Sequence, residues 1–502
     1  MDCLLGIDLG TSSLKSVLTD TCGRIKALSS KSYQFASPCN GYAEDNPYAW
    51  WDACCETLQD VLRESEISPE DIKGIGFSGQ MHGVVTLDDE YQVVRPAILH
   101  CDARSAIQVE KIKKSIGNDR IKSLVMNPIY TGFLLPSLLW IRDNEPENYK
   151  RIKYVMLPKD YLKYCMTGEI STDYSDASAT LAFDIQRNCW SEEILDIMGI
   201  SGMRFPDCYD TTAVVGCVSK KASLETGLSV KTVVVAGGGD QVMQGIGNGV
   251  TEIGEASVNI GTSGQVSFQS DTPILNPKLN TNTFCGYKKG RWITMGAIMN
   301  AGLSYKWFNS LFEKTDFEDM NKKIAKVQPG SGGVIFLPYL NGERTPHLNP
   351  NLSGAFVGLN LNTGRPELSR AVMEGVSFAL KQCIDICAGL GLKADKMIAS
   401  GGGAKSTPWL QIQADVFNLP LRVAQTEEQA GLGAAIAAGV GAGLYKSIED
   451  GCNQAVRYKE SVIVPNQERV ELYQEYYQLY KELYRESHGA IEKITQIGRR
   501  EI

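Results

Sequence analysis

The sequence predicts a mixed α/β fold built as two related domains around a cleft, and three observations carry that prediction. First, the chain has 502 residues, more than one core accommodates and a natural length for two domains of about 200–250 residues each. Second, LLGIDLGTSSLKSVLTD (4–20) and ASVNIGTSGQVSF (256–268) each run a short apolar strand into Gly-Thr-Ser, with Gly10 and Gly261 half a chain apart. That spacing points to a duplicated strand–turn–strand unit. Third, β-branched runs alternate with helical periodicities and no low-complexity linker intervenes, so the two lobes touch. The break falls near 245–255 and divides the chain into 1–247 and 248–502.

Taken in chain order, residues 4–20 read as a hairpin whose tight turn exposes backbone N–H groups. Residues 46–64 read as a helix, with Asn46 as N-cap and Pro47 in the first turn. Trp50, Cys54, Leu58, Val61 and Leu62 recur there at helical spacing. IKGIGFSG (72–79) is a strand entering a loop. VVVAGGGDQVMQG (233–245) halts a β-branched run at three glycines and then sets down a carboxylate, Asp240. After the second hairpin, residues 367–391 form a long amphipathic helix ending at glycines. MIASGGGAKS (397–406) is a third strand entering a glycine turn, and 467–487 is a final helix whose tyrosine stripe packs on the body.

Composition narrows the function. A net charge of −8 and a pI near 5.3 argue against a nucleic-acid surface and against an anionic membrane as partner. They leave open anion binding by backbone N–H groups. The opening MDCLLGIDLG lacks the basic region of a signal peptide, and no apolar run reaches the ~18–20 residues of a membrane span. Fourteen cysteines without a CxxC pair and four scattered histidines read as reduced thiols in a cytoplasmic protein without a zinc site.

Two common nucleotide loops fail on spacing. GGGAKS has Ala404 where a P-loop needs glycine before its lysine. GLGAAI (431–436) lacks the third glycine of a dinucleotide fingerprint and follows polar TEEQA rather than a strand. What remains is phosphate binding shared by two facing turns. Gly10, Thr11 and Ser12 on one side, and Gly261, Thr262 and Ser263 on the other, can aim N–H and O–H donors at phosphate oxygens. Asp8, just before the first turn, can hold a hydrated Mg²⁺, and Lys15 supplies a point charge. The third turn, Gly401, Gly402 and Gly403 with Lys405 beside it, suits a nucleoside. The set points to ATP.

These residues carry a wider likeness. GIDLGTSSLK (6–15), SGQMHG (78–83), RPAIL (95–99), LPKDYLKYCMTGE (157–169), GGGD (237–240), GTSG (261–264), FLPYLNGERTPH (336–347) and GGGAKS (401–406) occur in one order. Gly354, Phe356, Gly358, Glu367 and Glu374 complete a C-terminal signature. With them the chain resembles the FGGY family of carbohydrate kinases over roughly 400 residues, and within it the branch acting on ketopentoses such as xylulose. The resemblance implies two ribonuclease H-like domains of the actin type, a hinge between them, and ATP-dependent phosphorylation of a sugar hydroxyl. It implies Asp240 as the general base, with Gln80, Met81, His82, Asp102, Asp240 and Gln241 around the sugar. It also implies a possible homodimer. Four positions depart from the pattern of that branch: His100, Cys101, Ser137 and Gln241. They keep glycerol, ribulose and gluconate open as acceptors. An actin-like ATPase switch without a sugar is the reading from another class. Arg344, in the GERTPH loop, reads as the partner of a carboxylate.

Overall fold

The computed structural model describes residues 1–313 and 316–499, so residues 314–315 and 500–502 of the 248–502 unit lie outside the described residues. β1 (Cys3–Leu9) pairs antiparallel with β2 (Ser13–Asp20), Leu9 facing Leu14 across the turn, and β3 (Ile25–Ser32) extends the meander. α1 (Pro47–Ser65) starts where Asn46 accepts a hydrogen bond from the Tyr48 N–H, and it buries Trp50, Cys54, Leu58 and Val61. β4 (Ile72–Gly79) then runs parallel to β1. A long excursion follows, containing α2 (Pro158–Thr167) and α3 (Tyr174–Ser178). β5 (Val214–Cys217), β6 (Val233–Val235) and β7 (Gly238–Gly239) complete the sheet, ordered β5-β6-β4-β1-β2-β3 with β7 along the end of β4. α4 (Asp240–Gly247) leaves directly from β7.

The second half repeats this plan. β8 (Glu255–Ile260) and β9 (Gly264–Ser270) form the second hairpin, Ile260 facing Gly264. β10 (Asn282–Cys285) and β11 (Trp292–Ile298) extend it. α5 (Arg365–Gly389) crosses to β12 (Lys396–Ser400), and α6 (Thr407–Phe417) to β13 (Leu421–Val423). The sheet order is β10-β11-β9-β8-β12-β13, with β12 parallel to β8 and β13 parallel to β12. Each half therefore joins an antiparallel meander to two parallel strands on the far side of its first strand. This is the ribonuclease H-like arrangement, and the Gly-Thr-Ser rhyme marks the same corner in both copies.

Two late helices tie the halves together. α7 (Gln429–Gly441) belongs to the second half in sequence but lies on β1 and β4 of the first sheet, beside α4. Its composition, QAGLGAAIAAGVG, explains how: backbone meets backbone. A Cβ on Gly6 would fall 1.9 Å from the Gly431 carbonyl oxygen, and one on Gly76 would fall 2.0 Å from that of Ala434. The GLGAAI stretch is thus a packing helix, and its glycines serve close approach. Around it Leu4, Val242, Met243, Ile246, Phe284, Met295, Leu432 and Ile436 form one apolar cluster drawn from both halves. α8 (Gln467–Gly498) runs beyond the expected end at 487, because apolar Ile491 carries the buried stripe onward. Tyr473, Tyr477 and Tyr480 are buried along it, and Tyr473 closes a hydrogen-bonded set with Arg370 and Glu374 of α5.

Candidate active site

The two hairpin turns are held open by bonds to their carbonyl groups, which leaves their side chains unoccupied. At the first, the Gly10 N–H donates to the Ser13 carbonyl at 2.9 Å. The Tyr33 N–H and hydroxyl donate to the Ser12 and Gly10 carbonyls. At the second, the Gly302 N–H donates to the Gly261 carbonyl, and the Ala301 and Leu303 N–H groups donate to that of Thr262. The hydroxyls of Thr11, Ser12, Thr262 and Ser263 make no hydrogen bond among the described residues, so they are available as donors. In the third turn Gly401 takes a φ of 76° after β12. A Cβ there would sit 2.3 Å from Asn259 Oδ1, so the turn demands glycine.

Two lysines assigned to ATP are engaged elsewhere. Lys15 Nζ lies 2.7 Å from Glu428 Oε2 at the start of α7, pairing one half with the other. Lys405 Nζ pairs with Glu427 at 2.7 Å on the surface.

Asp8 ends β1, and the Ser78 hydroxyl donates to its Oδ1 at 2.7 Å. Burial pushes its carboxyl above the usual range despite that bond and Lys15. Asp240 is the first residue of α4, with Gly239 as N-cap and no side-chain capping bond. Its carboxylate accepts from Gln241, the next residue of the same helix. Burial and then the nearby charge of Asp8 push it up to about 7, against donation from the Gln241 backbone and side chain. A pair of half-buried carboxylates, with hydroxyl-bearing turns beside them, is the donor chemistry a hydrated divalent cation requires.

Met81 and His82 lie on the loop leaving β4. Met81 covers the glycine turn, where a Cβ on Gly239 would fall 2.8 Å from its Cγ. His82 adopts a φ of 77°. Its Nδ1 lies 2.8 Å from the Ala179 carbonyl, so Nδ1 carries the proton and Nε2 is left as an acceptor. Burial holds this imidazole down to about 3, and it stays neutral near pH 7. Its ring packs 4.0 Å from Phe133 and 5.8 Å from Phe284 of β10, at the junction of the two halves. Gln80 is buried, its amide donating to the Gly10 carbonyl at 3.4 Å, which braces the first turn.

Asp102 requires correction. Its carboxylate accepts from the Ala43 N–H at 2.6 Å and from the Arg104 N–H at 2.8 Å, and it pairs with the Arg104 guanidinium. With 1% of its surface exposed, it has no capacity left for a sugar hydroxyl. Arg104, in turn, is held between Tyr42 and Trp140 and pairs with Glu44. Asp102 thus supports the loop and does not contact a ligand.

Arg344 also departs from expectation. It is exposed and makes no ion pair among the described residues. Its charge acts on His82, His100 and Tyr130, adding to burial in holding His100 down to about 4. The neighbouring Glu343 anchors the loop, its Oε1 accepting the Met299 and Arg344 N–H groups. The site therefore has one arginine acting on two neutral imidazoles, a grouping with no spacing signal because GERTPH lies some 260 residues from His82.

Comparison with known proteins fits this geometry. The model of the FGGY family of carbohydrate kinases, N-terminal domain, matches residues 3–247, and that of the C-terminal domain matches 256–442. A xylulose kinase of Bacillus subtilis (strain 168) is 36% identical over 475 residues, covering 94% of this chain and 95% of its own length. Among solved structures, a ligand-bound xylulose kinase from Lactobacillus acidophilus superposes with a TM-score of 0.92 at 26% identity, covering 98% of this chain and 100% of its own. A gluconate kinase from the same organism gives the same TM-score and identity over 98% and 99%. Duplicated hairpin turns, a buried carboxylate on a glycine turn and matches across both halves lead to one conclusion: this chain belongs to the FGGY family of carbohydrate kinases and is an ATP-dependent carbohydrate kinase.

Proposed function

We propose that the chain is a xylulose kinase, transferring the γ-phosphoryl group of ATP to D-xylulose to give D-xylulose 5-phosphate, with Asp240 as general base. The observation that carries the reading is the Asp240 carboxylate: it stands at the end of a glycine turn, buried beside Asp8 and next to the Met81–His82 loop. The acceptor hydroxyl oxygen forms the new O–P bond while its proton passes to Asp240, and the bond to ADP breaks. The free hydroxyls of Thr11, Ser12, Thr262 and Ser263 orient the phosphates beside Gly10 and Gly261, and the turn at Gly401–Gly403 holds the nucleoside. Asp8, with Asp240 close by, would hold Mg²⁺, which supplies charge neutralisation for the transferring phosphoryl group. Neutral His82 offers Nε2 as an acceptor to a sugar hydroxyl. Fourteen free thiols support a reducing compartment, the cytoplasm. Among the described residues no helix is long and apolar enough to cross a membrane.

A second reading is favoured by Arg344. An unpaired guanidinium beside His82 and His100 is a site for a carboxylate, so a sugar acid is the alternative acceptor. The test is ADP release from Mg-ATP with D-xylulose, L-xylulose, D-ribulose, L-ribulose, glycerol, gluconate and no sugar. A D-xylulose kcat/KM at least about tenfold above the others is expected, a margin a few well-placed hydrogen bonds provide. Gluconate ahead of every ketose would replace xylulose as the acceptor and assign Arg344 to its carboxylate.

A further inference from the structure

Beneath the Asp240 turn lies a group of charged residues with no part in binding or transfer. Lys159 and Lys163 are one turn apart on α2 and both are 0% exposed; Asp160, Asp173 and Asp176 are at most 1% exposed. Lys159 Nζ lies 2.7 Å from Asp160, 2.8 Å from Asp173 and 3.1 Å from Asp176. Lys163 Nζ lies 3.2 Å from Asp160 and donates to the Ala236 carbonyl at 3.0 Å. At the other end, Asp173 caps α3 and accepts from the Ser175 hydroxyl. That hydroxyl oxygen accepts the Gly239 N–H at 3.0 Å. The glycine run 237–239 is thus gripped at both ends: the carbonyl just before it by Lys163, and its last N–H by Ser175.

We propose that Lys163–Asp160–Lys159–Asp173–Ser175 is a positioning clamp that fixes the direction of the Asp240 carboxylate. Three glycines give the turn close approach to substrate but no stiffness of its own. Five ionisable groups withdrawn from water contribute little net stability, since desolvation offsets their attraction. A well-packed apolar patch would stabilise this region as well. What the ionic chain adds is direction, with Lys159 and Lys163 each held to named oxygens and both ends of the chain delivered to the backbone that carries Asp240. Burial drives the Asp176 carboxyl well above the usual carboxylate range and pulls Lys163 below the usual ammonium range, despite the opposite charges around them.

The clamp rests on Asp240 being the base, and the test separates the two ideas. Ser175→Ala removes one uncharged link and preserves the buried ion pairs, so the fold is kept, as a circular-dichroism melt checks. Its kcat is expected to fall about 10–100-fold, with KM for ATP and sugar within about twofold, because a misaimed base costs the transfer step alone. In an Asp240→Asn background the same substitution has no further effect. A kcat in Ser175→Ala within about twofold of wild type, a loss carried by KM instead, or losses that multiply in the double variant would overturn the clamp. If Asp240→Asn itself retains activity, the base assignment fails first. Lys163→Met gives the second reading at the other end of the turn, with the same split between kcat and KM.

Discussion

Asp240→Asn is expected to lower kcat by about 10²–10⁴-fold, the usual worth of a positioned general base, while leaving ATP binding and the fold intact. The same substitution is expected to hold or raise the melting temperature at pH 8. Folding raises this carboxyl from 3.8 to about 7, so the folded state disfavours the anion. Above pH 3.8 the ionised group therefore subtracts stability, increasingly until pH passes about 7, and asparagine carries no such penalty. Activity and stability should move in opposite directions, the signature of a functional group held under electrostatic stress. A melting temperature clearly below wild type, or activity within about tenfold of it, would show that Asp240 serves the fold and not the chemistry.

Gly76→Ala is the second large effect, and it falls on folding. The new methyl would lie 2.0 Å from the Ala434 carbonyl oxygen and 2.8 Å from its carbon, both backbone atoms of α7. Neither side can retreat: β4 is central in its sheet, between β1 and β6, and α7 is packed on its other face by α4. Overpacking of this kind costs about 1–3 kcal/mol where side chains can adjust and more where only backbone is available. The variant is expected to melt many degrees lower or to accumulate as insoluble protein, whereas Gly443→Ala, with nothing within 4 Å but a φ of 74°, is expected to lose only the smaller cost of a left-handed backbone. Equal melting temperatures for Gly76→Ala and wild type would mean that α7 does not seat on β4.

What could be read in the sequence was what is written locally. The two hairpins, the Asn46 cap, the glycine turn before Asp240 and the tyrosine stripe of α8 all depend on neighbours a few positions away. The duplication was legible because Gly-Thr-Ser recurs at the same corner of two sheets. Asp102 was not legible, because the Ala43 and Glu44 groups that surround it and Arg104 come from a segment about sixty residues earlier, brought near only by the fold. α7 was missed for another reason: a helix of glycine and alanine has no amphipathic stripe, and its partner is backbone, which leaves no trace in hydropathy. Nothing in LPKDYLKYCMTGE marks its lysines as buried, because beyond Asp160 of the same segment their partners Asp173 and Asp176 come from the next strand and helix. Arg344 was placed correctly in its loop and wrongly with a carboxylate, since nothing in GERTPH shows that His82 and His100 face it.

The pH dependence of sugar-dependent ADP release at saturating Mg-ATP tests the central claim most directly, measured as kcat/KM for the sugar from about pH 5 to about pH 9. The enzyme loaded with Mg-ATP must present Asp240 ionised, so the rate should rise with pH through a single acid limb and then level off, the limb lying at or below the value near 7 of the metal-free site because a bound cation favours the anion. Asp240→Asn should retain only a low rate without that limb. A wild-type profile flat down to pH 5, or a limb that survives intact in Asp240→Asn, would contradict the assignment of the base.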